Sequence, residues 1–370
     1  MADASGMPVV THEPGIYFGM SDEEYHADPA FSNSGANNIL VSPLDYWVNS
    51  RLNPDYKDEK TPAMIAGTAF HRRLLEPARY EKLYGVLPRK EDYPDALDGQ
   101  KVLYAKVKEY GIKGMSSATV PELCTALQDA DPSLELWPVI KAEALKALGD
   151  RIILDGEVAA DIERAVKYVQ ANEDAAKCIT GGYAEVAIFW IDEDTGVRMK
   201  AKVDYLKVKA LIDIKSFSNP MGKPIDAAVS SAVVFNRYHI QGVIYWEAVE
   251  RAKEMLRKQK SACLHFLNGA EVSDEWLIQF AACKRHAFYF LFIEQGPVTN
   301  VLVRGFEERE TYGGQGSSIN LAWHYGVLGY REALRRYVEN MDKFGPDKPW
   351  VDDRPMRPFV DTDFPQYMFQ

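Results

Sequence analysis

Asp204 sits in Val203-Asp204-Tyr205, and a short interval later comes Leu211-Ile212-Asp213-Ile214-Lys215. In an extended strand alternate side chains share a face, so Asp213 and Lys215 project together with Leu211. A hairpin would bring Asp204, on the preceding strand, close to Asp213. Two carboxylates beside one ammonium fit a hard-cation site, in which oxygen ligands hold Mg²⁺ or Mn²⁺ and the lysine positions or activates water. A D-x-K tripeptide is common, and an exposed hairpin carrying routine charges would read the same.

Other residues add to the pattern. His71 ends the run Gly67-Thr68-Ala69-Phe70-His71, with Gly67 one helical turn earlier on the same face, where a missing side chain would permit close packing. Leu74 and Leu75 extend that face inward, so His71 is a satisfied core residue or a metal ligand. As a ligand it must be the neutral imidazole, which predicts activity falling as pH drops through its titration. Gln241 and Tyr245, four apart, share one face of an amphipathic helix and could reach a phosphate or an attacking water; packing against a sheet explains the pair equally well. Ser34, near a helix start, either caps it or receives a terminal phosphate through the free N–H groups behind it. Tyr46 and Trp47 are read as buried, with stacking on bases as the alternative.

The elements that must carry these residues follow from period and punctuation. Ser32 to Ser34 precede a short helix, residues 35–41, closed by Pro43; residues 51–60 are a polar loop. AMIAGTAFHRRLL, residues 63–75, is apolar at helical spacing and ends at Glu76-Pro77. Residues 88–180 form a long charged insertion with helical character at Lys101–Tyr110, Pro138–Leu148 and Gly156–Asn172. The texture then changes to strands: AEVAIFW, VRMKAKVDYL after the turn Asp194-Thr195-Gly196, and ALIDIKSF. A helix from about Arg237 to Lys258, two strands split by Gly296-Pro297, a helix near Leu321 to Lys343 and a proline-rich tail complete the chain. The expectation is one α/β domain, residues 1–370, with a central mixed sheet flanked by helices.

The 370 residues are 46% hydrophobic and 26% charged, which is globular and excludes a disordered or fibrous class. No stretch is long and apolar enough to span a bilayer, and Met1 to Val10 lacks a leader's basic and apolar regions, so a cytoplasmic chain without membrane contact is expected. The four cysteines lack CxxC spacing and read as reduced thiols. With 43 Lys+Arg against 54 Asp+Glu the net charge is −11, which argues against a sequence-independent DNA coat; a nuclease needs only one positive groove.

The order GTAFH, VDYL, DIK, QGVIY resembles the nuclease module of the RecB-like branch of the PD-(D/E)XK superfamily, and most closely the RecE-type exonuclease VIII group. SDEEYHADPAFSNSGANNILVSPLDYW and TPAMIAGTAFHRRLLEP match in style, as do the ALRRY helix, the isolated Trp350 and the terminal FPQY. The resemblance touches residues 16–83, 183–250 and 286–365 and is weak through 88–180 and 260–285.

The resemblance implies a restriction-endonuclease-like core with a helical insertion at 88–180. It implies metal ligation by His71, Asp204, Asp213 and the Ile214 carbonyl, with Lys215 as the catalytic lysine and Gln241 and Tyr245 near the scissile phosphate. Glu185 stands where this branch often has an acidic residue, to hold water or a second metal, unless it is a surface glutamate. Lys202 departs from the glycine or arginine often found there and is read as facing solvent rather than phosphate. One or two Mg²⁺ or Mn²⁺ ions are implied; the cysteine spacing does not suit the iron–sulfur cluster of Cas4-like relatives. The implied activity is exonucleolytic digestion of duplex DNA ends for recombination, with a homo-oligomer and a single-strand annealing protein as partners. A structure-specific endonuclease or nickase, and a non-catalytic DNA-binding scaffold, are the alternatives.

Overall fold

The computed structural model describes residues 11–57, 60–296, 298–306, 320–352 and 354–363; the FPQY segment lies outside them. The alternating segments expected as strands form them: β4 Gly182–Ile191, β5 Arg198–Lys207, β6 Ala210–Phe217, β8 Ala287–Glu294 and β9 Val301–Gly305. With two short strands, β1 Gly15–Phe18 and β7 Leu264–Phe266, they build one seven-stranded sheet in the order β7-β1-β4-β5-β6-β8-β9. β1/β7 and β6/β8 are parallel and the other neighbours antiparallel, so the sheet is mixed. A separate two-stranded sheet joins β2 Tyr84–Val86 to β3 Ile152–Leu154.

Helices cover both faces of the large sheet, as β6 shows. Leu211 and Phe217 pack with Ile240, Val243 and Ile244 of the long helix Tyr238–Gln259. Ile212 and Ile214, on the opposite face, pack with Phe70 and Leu74 of the helix Pro62–Leu75 and with Ile162 and Val166 of the helix Gly156–Ala171. Thr61 caps the histidine-bearing helix by accepting from Met64 N–H, Pro62 occupies its first turn, and Pro77 follows its end. Within the 88–180 stretch, Leu103, Val107, Leu123, Cys124, Leu127 and Leu136 form a small core of their own.

Tyr46 and Trp47 are buried: Tyr46 stacks on Trp350 at 5.1 Å, and Trp47 Nε1–H donates to the Pro346 carbonyl. Gly67 does not serve close packing, because a Cβ there would meet no atom within 4 Å. No helix among the described residues is long and apolar enough to cross a membrane.

Candidate active site

β5 and β6 pair over only two steps, Tyr205↔Ile212 and Leu206↔Leu211. Beyond them β5 stays with β4 as far as Ile191↔Arg198, and β6 stays with β8 as far as Phe217↔Glu294. The strands therefore diverge, and Asp204 and Asp213 are the first residues past the last pair, at the mouth of a fork. The edge of β5 released by β6 is occupied by Phe31, whose N–H donates to Arg198 O at 2.8 Å and whose carbonyl accepts from Lys200 N–H at 2.9 Å. A fork lets side chains from both helical layers meet at one point of the sheet.

The layers use that opening. From one side His71 brings Nδ1 to 3.7 Å from Asp204 Oδ2. From the other, Gln241 Nε2 donates to Asp213 Oδ1 at 2.8 Å. Across the fork the Ile214 N–H donates to Asp204 Oδ2 at 2.6 Å. Lys215 Nζ lies 2.8 Å from Asp213 Oδ2 and 4.9 Å from the centre of the Tyr238 ring. Tyr245, one turn beyond Gln241 and half-buried, lies within electrostatic reach of both aspartates.

Glu185 completes the group. His71, Glu185 and Asp204 each offer one ligand atom, all within 4.8 Å of one another. Its backbone is left-handed, φ 53°, between the ladder pairs Ala184↔Tyr205 and Val186↔Val203. For a side chain with a Cβ this costs on the order of 1–3 kcal/mol, and such strain gathers at functional sites.

Lys202 does not face solvent. It is two residues from Asp204 on the same strand, only 9% exposed, and its Nζ meets Asp22 Oδ1 at 2.5 Å and Glu185 Oε2 at 2.9 Å. Asp22 in turn pairs with the Arg72 guanidinium. Ser34 lies inside the first turn of the helix Asn33–Val41, exposed, while Ser32 is the residue that caps it by accepting from Gly35 N–H. That helix borders the site's long helix, because Arg237 donates to the Asn37 carbonyl at 2.8 Å.

Burial sets the protonation states. It raises Asp204 and Asp213 above the usual carboxylate range, Asp213 to about 6, against the opposing pull of Lys215. It lowers His71, which favours the neutral imidazole that a metal requires. Burial also acts to lower Lys215, but the Asp213 and Asp204 carboxylates outweigh it and keep the ammonium charged.

The donor set suits a hard divalent cation. It combines an imidazole with carboxylates that burial makes costly to leave charged and uncompensated, and Asp213 Oδ2 is buried without a hydrogen bond despite the nearby ammonium. His71, Glu185 and Asp204 are the residues placed to hold it, with Asp213 on the border of that group.

A mixed sheet flanked by helices, forked at an aspartate pair with a lysine two residues on, is a PD-(D/E)XK-like domain. Residues 46–268, more than half of the chain, match the family described as a PDDEXK-like domain of unknown function, DUF3799, and the chain belongs to that family. No curated protein matches the sequence. Among solved structures, the chain is similar to a candidate exonuclease from Eubacterium rectale, at 14% identity and a TM-score of 0.45, over 93% of this chain and 96% of that one.

Proposed function

We propose that the chain is a metal-dependent deoxyribonuclease that hydrolyses phosphodiester bonds from the ends of duplex DNA. The observation that supports it best is the convergence of His71, Glu185, Asp204, Asp213 and Lys215 at the fork, from both layers of the fold. Bound there, one or two Mg²⁺ or Mn²⁺ ions would neutralise phosphoryl charge and make a water more acidic. His71, Asp204, Glu185 and Asp213 would hold them, with the Ile214 carbonyl as a further oxygen donor.

The chain's own groups have separable tasks. Lys215, held charged by two carboxylates, places a positive charge where phosphoryl oxygens gain negative charge. This favours electrostatic stabilisation and water orientation over proton abstraction by the lysine. Gln241 fixes Asp213 through Oδ1, and Tyr245 lies within electrostatic reach of Asp213 and Asp204. Ser34, exposed at a helix start beside the site's helices, is the proposed contact for a DNA end phosphate.

The choice of duplex ends, of a RecE-type role in recombination, and of a homo-oligomer working with an annealing protein rests on the motif resemblance. The test is digestion of linear duplex, circular duplex and single-stranded DNA with Mg²⁺ or Mn²⁺, beside Lys215→Ala. Loss of the linear duplex alone, abolished in the variant, is expected. Cutting of the circle would reassign the activity to an endonuclease, and no cleavage with either metal would remove the enzymatic reading.

A further inference from the structure

Lys202 is buried between two carboxylates that belong to different parts of the fold. Asp22, on the first turn of the helix Asp22–Ala27, takes one side at 2.5 Å; Glu185, on β4, takes the other at 2.9 Å. Asp22 also binds the guanidinium of Arg72, the residue next to His71 on the histidine-bearing helix. A continuous chain of charges, Arg72–Asp22–Lys202–Glu185, thus joins the two elements that present His71 and Glu185. All four side chains are at most 18% exposed. Glu185 is the member with a left-handed backbone, a conformation that persists only where surrounding contacts hold it, and Lys202 is one such contact.

We propose that Lys202 is a positioning residue that holds Glu185 through Oε2 so that the carboxylate faces His71 and Asp204 in a metal-ready arrangement, with Asp22 fixing the lysine. The proposal rests on the metal-site reading above. Charge and geometry pull in opposite directions here. Removing a cation near a carboxylate site strengthens its attraction for a dication, whereas losing an outer anchor weakens metal binding, by about 10–100-fold in well-studied sites. The sign of the change therefore identifies which role Lys202 plays.

Mn²⁺ titration calorimetry on the intact protein, with Lys202→Met, Glu185→Gln and their combination, reads that sign. Lys202→Met keeps the length of the buried chain and leaves Asp22 paired with Arg72; Lys202→Gln is the second variant should Met fail to fold, with a thermal melt confirming each. Either Lys202 substitution is expected to lower Mn²⁺ affinity about tenfold or more, and to lower it no further in the Glu185→Gln background, since the lysine acts through that residue. Unchanged or tighter Mn²⁺ binding in both, or losses that add to that of Glu185→Gln, would overturn the proposal. Asp204→Asn separates the two readings. If it abolishes Mn²⁺ binding while the Lys202 variants bind normally, only the role of Lys202 fails; if it too binds normally, the metal site fails and the proposal with it.

Discussion

Asp204 accepts a hydrogen bond from the Ile214 N–H at 2.6 Å, across the point where β5 and β6 part. The carboxylate thus does what the missing strand pairing would have done, and it satisfies a backbone donor that the fork would otherwise leave bare. A structural task and a chemical one are combined in one side chain, and substitution can separate them.

Asp204→Asn keeps an acceptor for the Ile214 N–H and removes the charge. The variant is expected to fold and to lose Mn²⁺ binding and DNA cleavage by more than about 100-fold, a larger effect than losing an outer-sphere partner. Because burial raises the Asp204 pKa, its ionised form is disfavoured in the metal-free fold. The metal-free variant should therefore melt higher than the parent, by about 1–2 °C for each kcal/mol of relieved desolvation. Differential scanning calorimetry with and without Mn²⁺ checks both halves, and a lower melting point for the metal-free variant would refute the second.

The parts of the site that were legible in the sequence are those governed by local period. Asp213 and Lys215 share a strand face, Gln241 and Tyr245 a helix face, and the hairpin joins Asp204 to Asp213; short-range geometry is enough for all three. Lys202 is buried rather than solvent-facing, which the period-two rule that places it with Asp204 does not reveal, because its partner Asp22 lies 180 residues away and nothing local announces it. The strands β1 and β7 escaped for a related reason. They are only four and three residues long, and they pair with each other although distant in the chain. Gly67 has the sequence place of a packing glycine, one turn before His71, yet a Cβ there would meet nothing within 4 Å.

The pH dependence of metal binding follows from the same burial. Asp204 and Asp213 have raised pKa values and must be ionised to bind a cation, so affinity should fall as pH drops through neutrality towards 6. Burial shifts His71 the other way, towards the neutral imidazole that a cation requires, so the raised carboxylates are the groups expected to lose the cation first. Mn²⁺ titrations at pH 6.5 in two buffers of different ionisation enthalpy should show net proton release on binding. Binding without proton release would contradict the raised carboxylates.

His286 gives a stability prediction away from the site. It is 3% exposed; Nε2 meets the Lys207 carbonyl at 2.9 Å and Nδ1 has no partner, so burial lowers its pKa to about 4. Between that value and about 6.5 the unfolded chain binds the proton and the native one does not, so stability is full above pH 6.5 and declines as pH falls towards 4. The decline attributable to this residue is about 3 kcal/mol at most. Urea unfolding of the parent and His286→Phe at pH 7.5 and pH 5 should show a shallower acid loss in the variant; equal losses would reject the assignment.

Two glycines on helices should respond oppositely to alanine. In the helix Leu321–Phe344, a Cβ at Gly326 would stand 2.4 Å from the His239 carbonyl oxygen, at the start of the long helix that presents Gln241 and Tyr245. Backbone cannot yield as a flexible side chain can, so Gly326→Ala should force the helices apart and destabilise the protein by about 1–3 kcal/mol. Because the displaced helix holds Asp213 through Gln241, cleavage should fall with stability. A Cβ at Gly67 meets nothing, and alanine in a helix interior is better than glycine by roughly 0.5–1 kcal/mol, so Gly67→Ala should stabilise. Urea midpoints at constant slope measure both, and a stabilising Gly326→Ala would mean that the two helices are not in the close contact that places Gln241 over Asp213.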